Sequence, residues 1–254
     1  MGGKLEGKVA VITGGNSGIG LATAELFRAE GAKLGLFGRD SASLQNAAIR
    51  LGGNVLAVQG DVCRTADLER LYAEVTQQFG KIDVLVANAG IAKFAPLADC
   101  PEELFDEVCD VNFKGAFFTV SRALPHLRDG ASVILVGSAD ADKQGRPLTS
   151  IYTATKAAVR ALARSMSSEL LPRRIRVNVL SPGMTDTAII TRSGGIPGAT
   201  PEEIATVITQ SIPLKRRGTP KDMAGGMLFL ASDASAYCLG SELMLDGGLT
   251  QVVS

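Results

Sequence analysis

The amino-acid sequence predicts a doubly wound α/β protein, a sheet of about seven parallel strands with helices on both faces. Short, nearly uninterrupted apolar runs recur along the 254 residues, each of a length typical of a buried strand. Longer amphipathic segments fill the intervals between these runs. A glycine-rich turn follows the first run and opens a helix, which is a frequent arrangement in parallel α/β sheets.

The strands are predicted where the apolar runs fall: 9–13, 33–37, 54–58, 82–87, 132–136 and 175–180, with a seventh within SELMLDGG at 241–248. Helical periodicity predicts helices over 18–30, 41–51, 65–79, 102–127 and 150–171, and another late in the chain. No repeat, low-complexity tract or linker interrupts this alternation. We therefore expect a single domain over residues 1–254.

Residues 184–213 break the alternation of strands and helices. This segment is rich in Gly, Pro and Thr and lies between the sixth strand and the late helix. An irregular insertion of that length in an α/β protein is typically a binding loop or lid. We expect it to line an apolar substrate pocket together with residues 91–97 (IAKFAPL).

Charge and composition exclude several classes of protein. The 26 Lys and Arg residues balance 26 Asp and Glu residues, so no net field attracts nucleic acid or an anionic membrane. The four cysteines have no metal-ligand spacing and His126 is the single histidine, so reduced thiols are expected and a metal site is not. The sequence has neither a signal-peptide pattern nor an apolar run of membrane-spanning length, which predicts a cytoplasmic protein.

The glycine-rich turn TGGNSGIG favours dinucleotide binding. Gly14, Gly18 and Gly20 let the backbone approach a pyrophosphate, whose charge then meets the helix N-terminus. The spacing is G-x-x-x-G-x-G, and a glycine cluster by itself is equally consistent with a tight loop. Its place between a strand and a helix favours the dinucleotide. The expected contacts are Gly14, Asn16, Ser17, Gly18, Ile19 and Gly20.

Tyr152 and Lys156 share one face of a predicted helix because they are four residues apart. The ordinary interpretation is a half-buried tyrosine packed over a lysine stem. The alternative is a proton donor tuned by a cation. A free phenol has a pKa of about 10, and a nearby ammonium favours its phenolate form. On this hypothesis Lys156 lowers the pKa of Tyr152.

Further motifs follow the glycine-rich turn in order: DV at 61–62, NAG at 88–90, Asn112, Ser138, Tyr152, Lys156 and SPG at 181–183. Together they resemble the classical short-chain dehydrogenase/reductase family over nearly the whole chain. The resemblance implies a Rossmann-type fold and an oxidoreductase that interconverts a carbonyl and an alcohol, with Tyr152 giving or taking the proton. It also implies a small-molecule substrate and a homotetramer that packs through helices 102–127 and 150–171 and the end of the chain.

The resemblance also implies roles for single residues. Lys156 would bond the nicotinamide ribose, Ser138 would hold the substrate oxygen, and Asn112 would order a water that connects Lys156 to solvent. Thr187 fits the carboxamide-contacting threonine better than Thr185, where the family usually has an aliphatic residue. The remaining cofactor contacts would be Asp61, Val62, Asn88, Ala89, Gly90, Pro182, Gly183 and Thr185.

Ser138 lies 14 residues before Tyr152, one more than the commonest spacing in the family. By itself, a serine at a strand end is equally typical of a loop cap. Asp140 and Asp142 are neighbouring alternatives for a polar contact, although their simpler interpretation is as exposed loop acids.

The end of the second strand, KLGLFGRD, bears on the choice of cofactor. An acid at position 38 would bond the ribose 2′-hydroxyl of NAD, but Gly38 stands there. Arg39 follows and offers a guanidinium to a 2′-phosphate. Asp40 is better explained as the cap of a helix that begins near Ser41. The sequence therefore predicts NADP(H) rather than NAD(H).

Two rival functions use the same fold. A lyase or epimerase would use the same tyrosine and lysine, but such relatives typically carry longer C-terminal substrate domains. A catalytically silent dinucleotide-binding or regulatory protein would be expected to lose residues of the set Asn112, Ser138, Tyr152 and Lys156, which is intact. The oxidoreductase remains the preferred prediction.

Overall fold

The computed structural model describes residues 2–141, 145–187, 206–207 and 209–252. Within them, one parallel sheet contains seven strands in the order β3-β2-β1-β4-β5-β6-β7. The strands are β1 Val9–Thr13, β2 Lys33–Gly38, β3 Val55–Gln59, β4 Ile82–Ala87, β5 Leu127–Val136, β6 Arg176–Pro182 and β7 Glu242–Leu245. The predicted doubly wound parallel sheet is confirmed. Its strand order reverses between β1 and β4, where such sheets open a crevice for ligands.

Helices cover both faces of the sheet. Those on one face are α1 Gly18–Ala29, α2 Ser41–Leu51 and α7 Pro220–Ala231. Those on the other face are α3 Thr65–Phe79, α5 Gly115–Ala123 and α6 Ser150–Leu170. A shorter helix, α4 Glu102–Cys109, precedes α5.

Strand β1 shows why the sequences of the strands are unbroken apolar runs. Val9 and Val11 pack into the hydrophobic core on one face of the sheet. Ala10 and Ile12 pack into the core on the other face. Successive side chains of a strand alternate between faces, so a strand covered on both sides needs an apolar residue at every position. Each large aliphatic side chain buried in this way contributes roughly 1.5–3 kcal/mol.

The predicted helix over 102–127 is wrong in its interior and at its end. A π-helical turn, Asp110–Lys114, separates α4 from α5, and α5 ends at Ala123. Pro125 has no backbone N–H with which to continue the helical hydrogen bonds, which stops the helix. Strand β5 then begins at Leu127, earlier than the predicted 132, and a register shift against β4 accommodates the added residues.

Asp40 caps helix α2, as the sequence predicts. The backbone N–H of Ser43 donates to Asp40 Oδ1 at 2.7 Å. Strand β7 ends at Leu245, before the end of the predicted segment 241–248, because Asp246 turns the chain. Its carboxylate accepts hydrogen bonds from the backbone N–H groups of Gly248 and Thr250 at 2.9 and 2.8 Å.

Most of the predicted substrate loop at 184–213 lies outside the described residues, as does Asp142. Among the helices of the described ranges, none is long and apolar enough to cross a membrane.

Candidate active site

Tyr152 and Lys156 lie on α6 beside the carboxyl end of β5, and they are neighbours as their spacing predicts. Lys156 Nζ is 5.9 Å from the centre of the Tyr152 ring. The Lys156 side chain is buried, and its Nζ donates to the Val136 carbonyl oxygen at 2.9 Å. The helix therefore carries a phenol and an ammonium side by side at the edge of the sheet where ligands bind.

The lowered pKa that the sequence predicts for Tyr152 is not found in this structure. Burial raises the pKa of Tyr152 to about 12, and a hydrogen bond from Ser138 opposes that rise only in part. Burial also lowers the pKa of Lys156 to about 8. Removal from water disfavours the charged form of each group. At neutral pH the phenol is protonated and the amine is mostly cationic.

Ser138 reaches Tyr152 in spite of the additional residue between them. Its hydroxyl acts on the Tyr152 phenol and lowers the pKa of that group. Ser138 is 7 % exposed, and its Oγ accepts a hydrogen bond from the backbone N–H of Asp140 at 3.2 Å. The serine therefore belongs to the site and does not merely cap a loop.

Asp140 is not the exposed loop acid that the sequence suggested. Its side chain is 13 % exposed, and its Oδ2 accepts a hydrogen bond from Arg146 Nη2 at 2.5 Å. Arg146 is 39 % exposed. No periodic pattern predicts this ion pair, because its members belong to an irregular loop.

Asn112 sits in the middle of the π-helical turn and is 1 % exposed. Its Oδ1 accepts from the backbone N–H of Ile91 at 2.8 Å, and its Nδ2 donates to the Ile91 carbonyl at 2.9 Å. Nδ2 also lies 3.4 Å from the Oγ1 of Thr155, a buried residue of α6 that the sequence analysis missed. π-helical turns are frequent at functional sites because they re-aim a side chain. Here the turn directs Asn112 at the loop after β4 and at α6.

Gly90 keeps a small space open between Asn112 and Lys156. A Cβ built on Gly90 would lie 3.3 Å from Asn112 Oδ1 and 3.4 Å from Lys156 Nζ. These distances are close to those at which a water contacts two polar groups. A side chain at position 90 would therefore fill the gap, whereas glycine leaves it open to a water.

The glycine-rich turn requires glycines for two different reasons. Gly14 and Gly18 have φ angles of +66° and +51°, in the left-handed region that favours glycine. A Cβ on Gly20 would overlap the Gly14 carbonyl oxygen and approach Asn88 Nδ2 to 2.6 Å. Ser17 occupies the N-cap position of α1, and its side chain makes no capping hydrogen bond. Ile19 follows in the first turn of that helix.

Asn88 and Ala89 tie the ends of β1 and β4 together. Asn88 Nδ2 donates to the carbonyl oxygens of Thr13 and Gly14 at 2.9 and 3.3 Å. The buried Thr13 hydroxyl accepts from the backbone N–H groups of Asn88 and Ala89, both at 3.1 Å. The sequence analysis predicted Asn88 as a cofactor contact and missed Thr13. The amide nitrogen of Asn88 holds the glycine-rich turn in place.

The side chain of Asn16 lies across the end of β2. Its Nδ2 donates to Ser43 Oγ at 2.7 Å. Arg39 is exposed, and within the described part of the chain its guanidinium makes no ion pair. On the far side of β2, Asp61 Oδ1 accepts from the backbone N–H of Cys63 at 3.0 Å, and Val62 is buried.

The segment after β6 distinguishes its two threonines. The buried Thr185 donates its hydroxyl to the Gly183 carbonyl at 3.0 Å. Thr187 faces the glycine-rich turn, since its Cγ2 would lie 3.4 Å from a Cβ on Gly18. Pro182 ends β6. Thr187 therefore lies beside the glycine-rich turn, whereas the hydroxyl of Thr185 is bonded to its own loop.

The loop after β4 closes the site from the other side. The rings of Phe94 and Tyr152 are 5.8 Å apart, with an interplanar angle of 83°. The backbone N–H of Ala95 donates to the Leu148 carbonyl at 3.2 Å, which joins this loop to the one before α6. Lys93 forms an ion pair with Glu107 of α4.

The described residues fit a dinucleotide. The turn after β1 is a cradle that a Cβ at position 20 would fill, and the exposed guanidinium of Arg39 lies at its far end. No group of three or more His, Cys, Asp or Glu side chains within the described ranges is placed to hold a metal ion.

Comparisons with known proteins agree with this architecture. A family model described as Enoyl-(Acyl carrier protein) reductase matches residues 14–250. The oxidoreductase asL5 of Sarocladium schorii is 43% identical over 251 residues and aligns with 98% of each chain. The 3-oxoacyl-[acyl-carrier-protein] reductase FabG of Thermotoga maritima is 38% identical over 252 residues, which cover 97% of this chain and 99% of that protein. The solved structure of a short-chain dehydrogenase/reductase from Brucella melitensis, described as a glucose/ribitol dehydrogenase, has a TM-score of 0.91 and 32% identity, covering 99% and 100% of the two chains.

The sheet order, the glycine-rich cradle and the tyrosine–lysine helix define an oxidoreductase that acts on a CH–OH or carbonyl group of a small molecule. Their agreement with the family model and with relatives above 30% identity assigns the chain to one family. It belongs to the short-chain dehydrogenases/reductases, a family that binds an NAD(P) dinucleotide.

Proposed function

We propose that this protein is an NADP(H)-dependent oxidoreductase in which Tyr152 is the acid and base. The observation that carries the proposal is the placement of the Tyr152 ring 5.9 Å from Nζ of the buried Lys156 at the carboxyl edge of the sheet, with Ser138 acting on the phenol. When bound, the nicotinamide supplies or accepts the hydride. The chain itself has to bind and orient the substrate and move one proton.

Tyr152 is suited to give a proton during carbonyl reduction. Burial raises its pKa to about 12, so its Oη is protonated at neutral pH. A substrate oxygen that accepts hydrogen bonds from both Ser138 and Tyr152 would lie where negative charge develops. The Lys156 ammonium next to the phenol stabilises the phenolate that remains after transfer.

Asn112 is proposed to hold a water that returns the proton to Lys156. Both of its amide atoms are fixed by the Ile91 backbone, so the side chain is preorganised. The second lone pair of Oδ1 remains available to a water. The space left by Gly90, 3.3 Å from Oδ1 and 3.4 Å from Lys156 Nζ, supports a water at that point.

Preference for NADP(H) is supported by the chemistry at the end of β2. Arg39 offers an exposed guanidinium to a 2′-phosphate, and a charge-assisted pair of this kind contributes roughly 1.5–3 kcal/mol. No acid stands at position 38 to accept a ribose hydroxyl. The other proposed cofactor contacts are Gly14, Asn16, Ser17, Gly18, Ile19, Gly20, Asp61, Val62, Asn88, Ala89, Gly90, Tyr152, Lys156, Pro182, Gly183, Thr185 and Thr187.

We also propose a single domain with its substrate loop at 184–213, assembled as a homotetramer in the cytoplasm. Assembly is supported by large apolar side chains that stay 39–49 % exposed along α4 and α5, namely Phe105, Phe113 and Phe117. Tyr237, close to β7, is fully exposed. All four cysteines are free thiols, which fits a reducing compartment.

A substrate screen tests the proposed function. Aldehydes, ketones, sugars and steroid-like carbonyls are mixed with the protein and NADPH, and the loss of NADPH absorbance is followed. We expect reduction of at least one carbonyl class. Failure to bind NADPH, together with no turnover across the panel, would overturn the proposal.

A further inference from the structure

An ion pair between Asp140 and Arg146 links the two ends of the segment between Ser138 and α6. Arg146 Nη2 donates to Asp140 Oδ2 at 2.5 Å, which joins the residue two places after Ser138 to the residue four places before the helix. The Thr149 hydroxyl donates to the Arg146 carbonyl at 2.9 Å. The pair thus fixes residue 140 relative to the start of the helix that carries Tyr152.

Residue 140 acts directly on Ser138. The Asp140 backbone N–H donates to Ser138 Oγ at 3.2 Å. Because one serine lone pair is taken in this way, the hydroxyl hydrogen is left to point elsewhere. Its partner is the phenol of Tyr152. A shift of Asp140 would therefore turn the serine hydroxyl away from the tyrosine.

The two members of the ion pair also act on Tyr152 through their charges. The Asp140 carboxylate disfavours the phenolate and raises the pKa of Tyr152, whereas the Arg146 guanidinium favours the phenolate and lowers it. The signs are opposite, so in the intact pair the effect of one charge on the phenol opposes the effect of the other. The loss of either member alone unbalances the site.

We propose that Asp140 and Arg146 form a positioning pair for proton transfer: it orients the Ser138 hydroxyl and holds two opposite charges beside the Tyr152 phenol. The inference rests on the proposed function, because it takes Tyr152 as the acid and base. The pair occupies the loop whose length departs from the commonest family spacing.

Lys156 and Lys93 are further charged groups near Tyr152 in the part of the chain that the structure describes, and the ion pair of Lys93 supplies a control. Lys156 lies on the same helix, with its Nζ 5.9 Å from the ring centre. Lys93, next to Phe94, belongs to the loop that packs on the ring from the other side and is paired with Glu107. Glu107→Gln is the matched control. It removes a carboxylate from the ion pair with Lys93, in the loop that packs on Tyr152, and does not involve Ser138.

The experiment compares Asp140→Asn, Arg146→Met, the double variant and Glu107→Gln. The tyrosinate form is titrated by ultraviolet absorbance, which is practical because the chain has three tyrosines and no tryptophan. Tyr237→Phe removes the exposed tyrosine from the background, and burial keeps Tyr72 protonated by raising its pKa. Circular dichroism at each pH confirms that the protein stays folded. The pH profile of kcat/KM is measured in parallel.

We expect Asp140→Asn to lower the pKa of Tyr152 by about half a unit to one unit and Arg146→Met to raise it by a similar amount. The double variant should return close to wild type, and Glu107→Gln should leave the pKa unchanged. Arg146→Lys, which keeps the charge without the planar fork, should recover most of the wild-type value.

Shifts of the same sign for Asp140→Asn and Arg146→Met, or no shift in either, would overturn the inference. So would an equal shift in Glu107→Gln. If Asp140→Asn fails to fold, Asp140→Ser and Arg146→Gln enter the same titration with the same expected signs. Failure of the proposed function is distinguishable, because full turnover by Tyr152→Phe would remove the catalytic role while the titration still measures the effect of the pair on the phenol.

Discussion

Asn16 occupies the space above Gly38: a Cβ built on this glycine would lie 2.8 Å from Asn16 Oδ1. Asn16 is held there by its hydrogen bond to Ser43, which follows the cap of α2. A carboxylate at position 38 would therefore displace Asn16 before it met a ribose. The side chain of Asn16 thus fills the space that a side chain at position 38 would need. The next residue, Arg39, is exposed and can present its guanidinium to a cofactor.

Arg39→Ala is expected to weaken NADPH binding by about ten- to a hundredfold and to leave NADH binding nearly unchanged, since only the 2′-phosphate loses a partner. Titration of both reduced cofactors into wild type and variant measures this. Lys33→Ala, at the opposite end of β2, is the control for loss of a surface cation. Equal or tighter binding of NADH by the wild type would contradict the preference.

Gly20→Ala should abolish cofactor binding and lower stability together. Its Cβ would overlap the Gly14 carbonyl and press on Asn88, and both hold the turn. Overpacking of this kind costs about 1–3 kcal/mol. Gly53→Ala is the matched control, because a Cβ there meets nothing within 4 Å. Thermal unfolding and NADPH titration of both variants check the prediction, which fails if Gly20→Ala binds NADPH normally.

Asn112→Ala is expected to lower the free energy of unfolding as well as turnover. The change leaves the backbone N–H of Ile91 without its partner at 2.8 Å in a partly buried place, at a cost of about 1 kcal/mol. A residue that only ordered a water would affect turnover alone. Chemical denaturation beside steady-state kinetics separates these outcomes, and unchanged stability would argue against the structural role.

Burial of Lys156 predicts a particular pH dependence of stability. Its pKa is lowered from 10.5 to about 8 in the folded state, so between these values the unfolded chain binds more protons than the native one. Stability contributed by this site therefore rises with pH through that window. In Lys156→Met the contribution is absent. Denaturation at pH 7, 8, 9 and 10 should give a shallower rise for the variant, and parallel curves would refute the assignment.

The strands and the cap of α2 could be predicted because their signals are local. An unbroken apolar run reports burial on both faces, and Asp40 needs only the backbone of Ser43 three residues on. The end of the helix predicted over 102–127 could not be located from the sequence because Leu124 and Leu127 continue the helical spacing of apolar residues on either side of Pro125. A strand at the sheet centre and a buried helix look alike in a short window.

The sequence predicts which residues form the site better than it predicts how they are arranged and what surrounds them. Tyr152 and Lys156 are neighbours in the helix by spacing alone, whereas the high pKa of the phenol depends on burial by Phe94 and the loops, which no local pattern reveals. The partners Thr13, Ser43 and Thr155 were missed because ordinary threonines and serines carry no distinctive spacing. The bond between Asp140 and Arg146 spans an irregular loop, so only the folded structure exposes it.

The most direct test of the account is Tyr152→Phe. The variant keeps the ring that packs edge-on against Phe94 at 5.8 Å and removes only the transferable proton. NADPH affinity by titration, melting temperature and kcat with a substrate from the screen are measured beside the wild type. The account predicts unchanged affinity, a melting temperature close to wild type and a kcat reduced by about a thousandfold or more. A kcat within a fewfold of wild type would contradict it.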